Sequence, residues 1–349
     1  MTRHSPLTCA LLIFAAALSP GNVIPGAGGG TLIGTVTDAA TGERLGNTNV
    51  YLSSTTIGTT TGRDGSFTIS HIPPGAFLVV ASRVGHRVQS HTVHISRTDT
   101  VREDFALEPV SLPAEEVDVV AHPDREWRRL LGKFTAAFLG EGRNAEQCSI
   151  LNPEVVDFRI EKGTGMLVAT TDSVLRIENR ALGFMLYARL GFFKWDTEDD
   201  RGRFVLYPRF EPLPPADSAG RASWRSNSEK SYRGSLKHFL ASLVAGTFSR
   251  EGFTVNAGSL TDLQGGASNP LTAADFTLEP LRGEQLWVLS FDRWLRVGYR
   301  GDGARLKSFI TLSGKGAVLD SHGNLADPFS IEVTGDWTKN RVADMLPID

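Results

Sequence analysis

Over residues 31–108 short apolar/polar alternations follow one another, separated by turn signals, with no stretch at helical spacing. Nothing else in the chain restricts its fold as much. The strand candidates are residues 32–37, 49–53, 58–61, 66–70, 76–83, 88–95 and 101–107. Alternation is visible in Val50/Leu52, Phe67/Ile69, Phe77/Val79/Ala81 and Phe105/Leu107. Successive strand side chains point to opposite faces, so such pairs place their apolar members on one side. Thr41-Gly42, Arg63-Asp64-Gly65 and Pro73-Pro74-Gly75 supply the turns. Gly tolerates positive φ, and Pro ends a ladder because it lacks an N–H. Seven short strands in such a length predict a β-sandwich.

The rest of the chain is patterned differently. Residues 109–124 contain Pro109, Pro113 and Pro123 around an acidic, β-branched stretch and read as a linker. Trp127, Leu130, Leu131, Phe134 and Phe138 then recur at helical spacing, ended by Gly140 and Gly142. Strand-like runs follow at 155–160, 166–171, 174–177, 184–193 and 203–207. Residues 212–220 read as a loop, and Tyr232, Leu236, Phe239, Leu240, Leu243 and Val244 as a second amphipathic helix. Further strands fall at 285–291, 294–299, 306–312, 317–319 and 330–334. The expectation for residues 125–349 is an α+β unit, one antiparallel sheet with two amphipathic helices, so the whole chain is mainly β.

Several motifs carry a family resemblance. Gly34-Thr35-Val36-Thr37-Asp38, Thr61-Gly62-Arg63-Asp64-Gly65-Ser66-Phe67, Ile72-Pro73-Pro74-Gly75 and Val84-Gly85-His86 resemble the carboxypeptidase regulatory-like domain. That resemblance implies a transthyretin-like (prealbumin-like) sandwich over 31–108. His86 stands where the family usually has Tyr. Phe138-Leu139-Gly140, Cys148-Ser149-Ile150-Leu151-Asn152-Pro153, Ile177-Glu178-Asn179, Leu182-Gly183-Phe184 and the run from Tyr232 to Leu240 resemble the C-terminal region of bacterial envelope proteins that carry this domain. The resemblance implies an architecture and a location there, and no activity. A segment like 109–124 joins the same sandwich to the plug of TonB-dependent receptors, but the residues after it are too few for a plug and a 22-stranded barrel.

Residues 1–30 read as a signal peptide and a Gly-rich lead-in. Arg3 precedes an uncharged, mostly apolar run over 7–18, shorter than the roughly 20 residues of a spanning helix. No later segment is long and apolar enough to be a transmembrane helix. Export to the periplasm or outer membrane of a Gram-negative bacterium is the expectation. Removal of Cys9 with the signal would leave Cys148 alone, a buried thiol with no disulfide partner.

Motifs for chemistry are missing. No His is followed by Glu three positions later, and no His-Glu-x-x-His occurs, so zinc peptidase chemistry has no ligand set. His91 and His94 are three apart on a strand and point to opposite faces. No Gly-x-Ser-x-Gly or P-loop is present. A formal charge of −3 lacks the basic field of a nucleic-acid binder. Residues 196–200 read as a solvated hairpin tip, and Phe192, Phe193, Trp195, Tyr207 and Trp224 mainly as core.

No catalytic residue, metal or cofactor is expected. The functional expectation is a non-enzymatic envelope protein that binds a protein or glycan. Alternatives are an accessory component of a TonB-dependent uptake system and a hydrolase without a recognisable motif. The binding candidates are Tyr232, Arg233 and His238, with His238 opposite the buried helix face and so toward solvent or a partner, and Trp195 as an aromatic platform.

Overall fold

The computed structural model describes residues 29–96, 99–110, 125–215, 217–258, 276–281, 286–292, 294–301 and 303–349. The signal peptide and most of the linker lie outside the described residues. Among those described, no helix is long and apolar enough to cross a membrane.

The N-terminal strands are β1 (Gly30–Asp38), β2 (Asn49–Leu52), β3 (Gly58–Thr60), β4 (Ser66–Ile72), β5 (Gly75–Ser82), β6 (Gln89–Ile95), β7 (Thr100–Arg102) and β8 (Phe105–Leu107). One sheet runs β4-β1-β7, with β8 also on β1; the other runs β3-β2-β5-β6. Their inner faces bury Leu32, Val50, Phe67, Val79, Val93 and Phe105. Burial of such side chains at about 25 cal/mol per Å² is what holds two sheets together. The seventh expected strand is in fact two, β7 and β8, both parallel to β1. The break comes where the Asp104 carboxylate takes the N–H and hydroxyl of Thr35. There the Glu103 carbonyl lies so close to Gly34 that a Cβ would meet it at 1.8 Å, so only Gly fits. His86 Nε2–H donates to Asp38 Oδ2 at 3.0 Å, and this contact foremost holds the Asp38 carboxyl down at about 2.

Helix α1 (Arg125–Leu139) covers a six-stranded sheet. The strands are β9 (Cys148–Ile150), β10 (Val156–Ile160), β11 (Leu167–Thr171), β12 (Leu175–Asn179), β13 (Phe184–Asp196) and β14 (Arg201–Pro212). Their order is β10-β11-β13-β12-β9, with β14 paired to β13. Phe134 and Phe138 of α1 stack at 4.8 Å and meet Phe193 edge-on. Leu186, Ala188 and Leu190 share this core. A register shift between Leu190 and Phe192 changes the parity of β13, so Phe193 and Trp195 stay buried while Phe192 is exposed.

Helices α2 (Ser218–Tyr232) and α3 (Leu236–Val244) follow, then β15 (Phe253–Gly258), β16 (Thr277–Pro280), β17 (Leu286–Ser290), β18 (Trp294–Gly301), β19 (Ala304–Leu312), β20 (Ala317–Asp320) and β21 (Ile331–Gly335). They form a sheet of order β15-β18-β19-β21 and another of order β16-β17-β20. The single antiparallel sheet expected for residues 125–349 is therefore three sheets among the described residues. Helix α2 is a second correction, because it begins inside the segment read as a loop. It buries no residue, so it offers no apolar stripe to detect; Asp217 caps it, and Trp224 and Asn227 anchor it on the carbonyls of Arg180 and Ala181. Gly234, at φ 75°, separates α2 from α3; a Cβ there would meet the Tyr299 ring at 2.7 Å.

The sandwich is docked on the rest. Its 53–56 loop lies along the outer edge of β14, with Ser54 N–H donating to the Pro208 carbonyl (2.7 Å) and Phe210 N–H to the Thr55 carbonyl (2.8 Å). Ile348 N–H donates to the Ser54 carbonyl at 2.9 Å, and the Ile348 side chain joins the sandwich core. A strand edge left in water is a pairing liability, and this docking covers it.

Candidate functional site: a tyrosine and arginine cleft

The two faces of the β13–β14 hairpin differ in chemistry. Leu186, Ala188, Leu190 and Phe210 turn toward α1. Tyr187 and Arg189 alternate with them on β13, as Tyr207 and Arg209 do with Pro208 and Phe210 on β14. Strand pairing sets Tyr187 opposite Arg209 and Arg189 opposite Tyr207. Two tyrosines and two arginines thus share one patch in a diagonal arrangement.

The sandwich forms the facing wall. Asn49 of β2 and Ser82 of β5 are register partners, and Tyr51 lies two residues along β2. Together with Val174, Tyr187, Arg189 and Arg209 they line a cleft of ≈ 310 Å³. That volume lies at the lower end of small-molecule sites, about 300–1,000 Å³. The Tyr51 hydroxyl donates to the Tyr207 carbonyl at 2.9 Å, which ties the wall to the hairpin. Burial raises the Tyr51 phenol well above its ordinary range, so it stays neutral.

The arginines are held differently. The Arg209 guanidinium lies 4.9 Å from the Tyr187 ring centroid, with Glu211 at 3.6 Å. Arg189 is half-buried; its Nη1 donates to the Asp172 carbonyl at 2.9 Å. Burial lowers its pKa, with the nearby Tyr51 and Asp172 opposing, and an arginine remains charged regardless. Among the described residues no carboxylate forms an ion pair with Arg189.

The candidates named from sequence fall elsewhere. His238 is buried, at 8% exposure, which corrects the expectation that it faces solvent or a partner. Its ring lies among Tyr232, Phe253 and Tyr299, with centroids at 4.9, 4.9 and 6.0 Å. The β15–β18 sheet and the end of α2 close over a helix face that sequence periodicity leaves open. Nδ1 accepts from Gly234 N–H at 2.9 Å, so Nε2 carries the proton and donates to Glu251 Oε2 at 2.6 Å. Both ring nitrogens are committed. Burial raises and the hydrogen bonds from Thr247 and His238 lower the Glu251 carboxyl, which ends below its usual range. Arg233 caps α2 beside this cluster. Trp195 belongs to a different core, where its indole N–H donates to Asp200 at 3.2 Å and Arg341 lies over its ring at 4.6 Å. Tyr232 and His238 are thus brought together, and Trp195 is not brought to them.

Other expectations can be placed as well. Cys148 is buried, and burial foremost pushes its thiol up to about 12. His91 stacks on Phe105 and meets Glu103 at 2.5 Å, while His94, on the opposite strand face, is exposed. Residues 197–200 form the tip between β13 and β14, where Asp196 accepts from the N–H groups of Glu198 and Asp199. A second cavity of ≈ 200 Å³, mostly apolar, lies between α3 and the sandwich and includes Lys237 and Asn324.

The Tyr–Arg cleft was not singled out from the sequence. Its signal was present twice, as Tyr187-Ala188-Arg189 and Tyr207-Pro208-Arg209. Strand alternation puts Tyr and Arg on one face in each, but only the pairing shows that the two faces coincide.

Residues 32–119, which include the N-terminal sandwich strands, match the family model of the CarboxypepD_reg-like domain. No curated protein matches the chain. Among solved structures, catechol 1,2-dioxygenase from Acinetobacter aligns at 12% identity over 26% of this chain, with a TM-score of 0.21; the chain spans 56% of its length. A Bacteroides fragilis protein of unknown function, described as membrane-associated, aligns at 12% identity over 88% of this chain and 98% of its own, TM-score 0.20. A Bacteroides uniformis protein described as carbohydrate-binding aligns at 9% identity over the same shares, TM-score 0.19. Likeness this weak carries no functional argument.

Proposed function

We propose that this is a non-catalytic exported protein of a Gram-negative envelope, periplasmic or outer-membrane associated, that binds a carbohydrate in the Tyr–Arg cleft. The reading keeps two units, the sandwich of residues 31–108 and the α+β unit of residues 125–349, and puts the site between them. The observation that carries it is the cross-strand set of Tyr187, Arg189 and Arg209 lining a cleft with Asn49 and Ser82. Flat aromatic faces with fixed fork-like donors suit a ring bearing many hydroxyls. Among the described residues, neither an imidazole nor a carboxylate lines this cleft, and its Tyr51 phenol is neutral. A general base is therefore not supplied there. Export is supported by the apolar run over residues 7–18 after Arg3.

The test is a glycan array probed with the mature chain, followed by calorimetry on the hits. Tyr187→Ala should weaken binding at least tenfold. Arg233→Ala, on the far cluster, should leave it unchanged; loss only in the Arg233 variant would move the site to the α2–α3 region. N-terminal sequencing of the protein from its host should show the first segment removed.

A further inference from the structure

The cleft is more specific than a generic sugar site, because two guanidinium groups line it and neither has a carboxylate within hydrogen-bond distance among the described residues. Arg189 and Arg209 both line it, while the whole chain carries a formal charge of −3. The Arg209 charge is shared between the Tyr187 face and a loose contact with Glu211 at 3.6 Å. Arg189 has a backbone carbonyl for one Nη1 proton and, among the described residues, no carboxylate in ion-pair range, the Asp172 charge acting on it from farther off. A guanidinium has five donors in a planar fork, so most of its hydrogen-bonding capacity remains. Withdrawing such a charge from water is costly unless an anion compensates it.

Around it the wall is neutral. Asn49 and Ser82 offer amide and hydroxyl groups, and Tyr51 has spent its proton on the Tyr207 carbonyl. A ligand that fits must place an anionic group at Arg189 and neutral hydroxyls toward the sandwich wall. Fork geometry matches a planar carboxylate with two parallel N–H···O bonds. The ≈ 310 Å³ of space admits one sugar residue and not a folded oligosaccharide.

Resting on the reading of the cleft as a carbohydrate site, we infer that its ligand is a carboxylated sugar residue, a uronate or a related sugar acid, with the carboxylate on Arg189 and the hydroxyls on Asn49 and Ser82. Recognition is by charge and ring together. Neither a neutral hexose nor a simple carboxylate satisfies both walls.

Calorimetric titration of the mature chain with glucuronate, galacturonate, glucose, galactose and acetate tests this. A uronate should bind at least tenfold more tightly than its neutral hexose and than acetate, and its affinity should fall as salt rises. Arg189→Gln should cost the uronate at least tenfold and narrow its preference over the hexose to within about twofold. Arg189→Lys, which keeps the charge without the fork, should recover only part. Circular dichroism confirms that each variant is folded. Asn49→Ala, at the sandwich wall, gives a second probe and should weaken the uronate several-fold. Equal affinity for uronate and hexose would overturn the acid specificity and leave the carbohydrate reading standing. Acetate matching glucuronate would show that only the anion is recognised. Binding of no saccharide of either kind would end the carbohydrate reading itself.

Discussion

The His238 cluster and the Tyr–Arg cleft hold the same kinds of groups, aromatic rings beside a basic side chain, yet their accounts differ. At His238 each ring nitrogen has a partner, from Gly234 N–H and Glu251, and three aromatic rings surround the imidazole. In the cleft Arg189 keeps most of its donors and has no carboxylate partner among the described residues. A satisfied buried group stabilises the fold; a half-buried guanidinium that forms no close ion pair keeps donors for a ligand. The comparison separates structural from binding residues by bonding, where residue type alone does not.

The largest effect that could break it comes from His238→Ala. The substitution removes a ring from a packed cluster and leaves Glu251 and the Gly234 N–H without their partner, so a loss of about 2–4 kcal/mol is expected. Urea unfolding measures it, and affinity for a cleft ligand should be unchanged. A stable His238→Ala protein that loses ligand binding would reverse the assignment of the two regions.

Arg189→Gln should behave in the opposite way. It removes a charge that forms no ion pair among the described residues, so stability should move by no more than about 1 kcal/mol in either direction. A drop as large as that of His238→Ala would make Arg189 structural.

Glu251→Gln gives a smaller, pH-dependent effect. The folded protein holds this carboxyl below its ordinary 4.5. The stabilisation is therefore fully present above that value and is lost as pH falls through the lower folded value. The carboxylate is 39% exposed, so solvent screening limits the effect to about 1 kcal/mol at neutral pH. Thermal melts of both proteins between neutral and acid pH should converge at the acid end.

The smallest change sharpens the interface. Tyr51→Phe loses the bond to the Tyr207 carbonyl while keeping the ring, which should cost about 0.5–1.5 kcal/mol. Hydrogen exchange should rise along β2 and β14 and not in the His238 cluster.

Local pattern alone determined a good part of this protein. Alternation such as Phe77/Val79/Ala81, with turns at Asp64-Gly65 and Pro73-Pro74-Gly75, marks the sandwich strands and their inward faces, because strand periodicity and turn chemistry are properties of neighbouring residues. The helical spacing of Trp127, Leu130, Phe134 and Phe138 locates α1 for the same reason. Helix α2 escaped because it is held by Trp224 and Asn227 on distant carbonyls and has no stripe of its own. His238 became buried because β15 and β18 fold over a helix face that looks open in isolation. The cleft depended on tertiary structure twice: the β13–β14 register put Tyr187 beside Arg209, and docking of the sandwich brought Asn49 and Tyr51 to them. Which strands pair, and which surfaces meet, depends on residues far apart in the chain, and no local period encodes that.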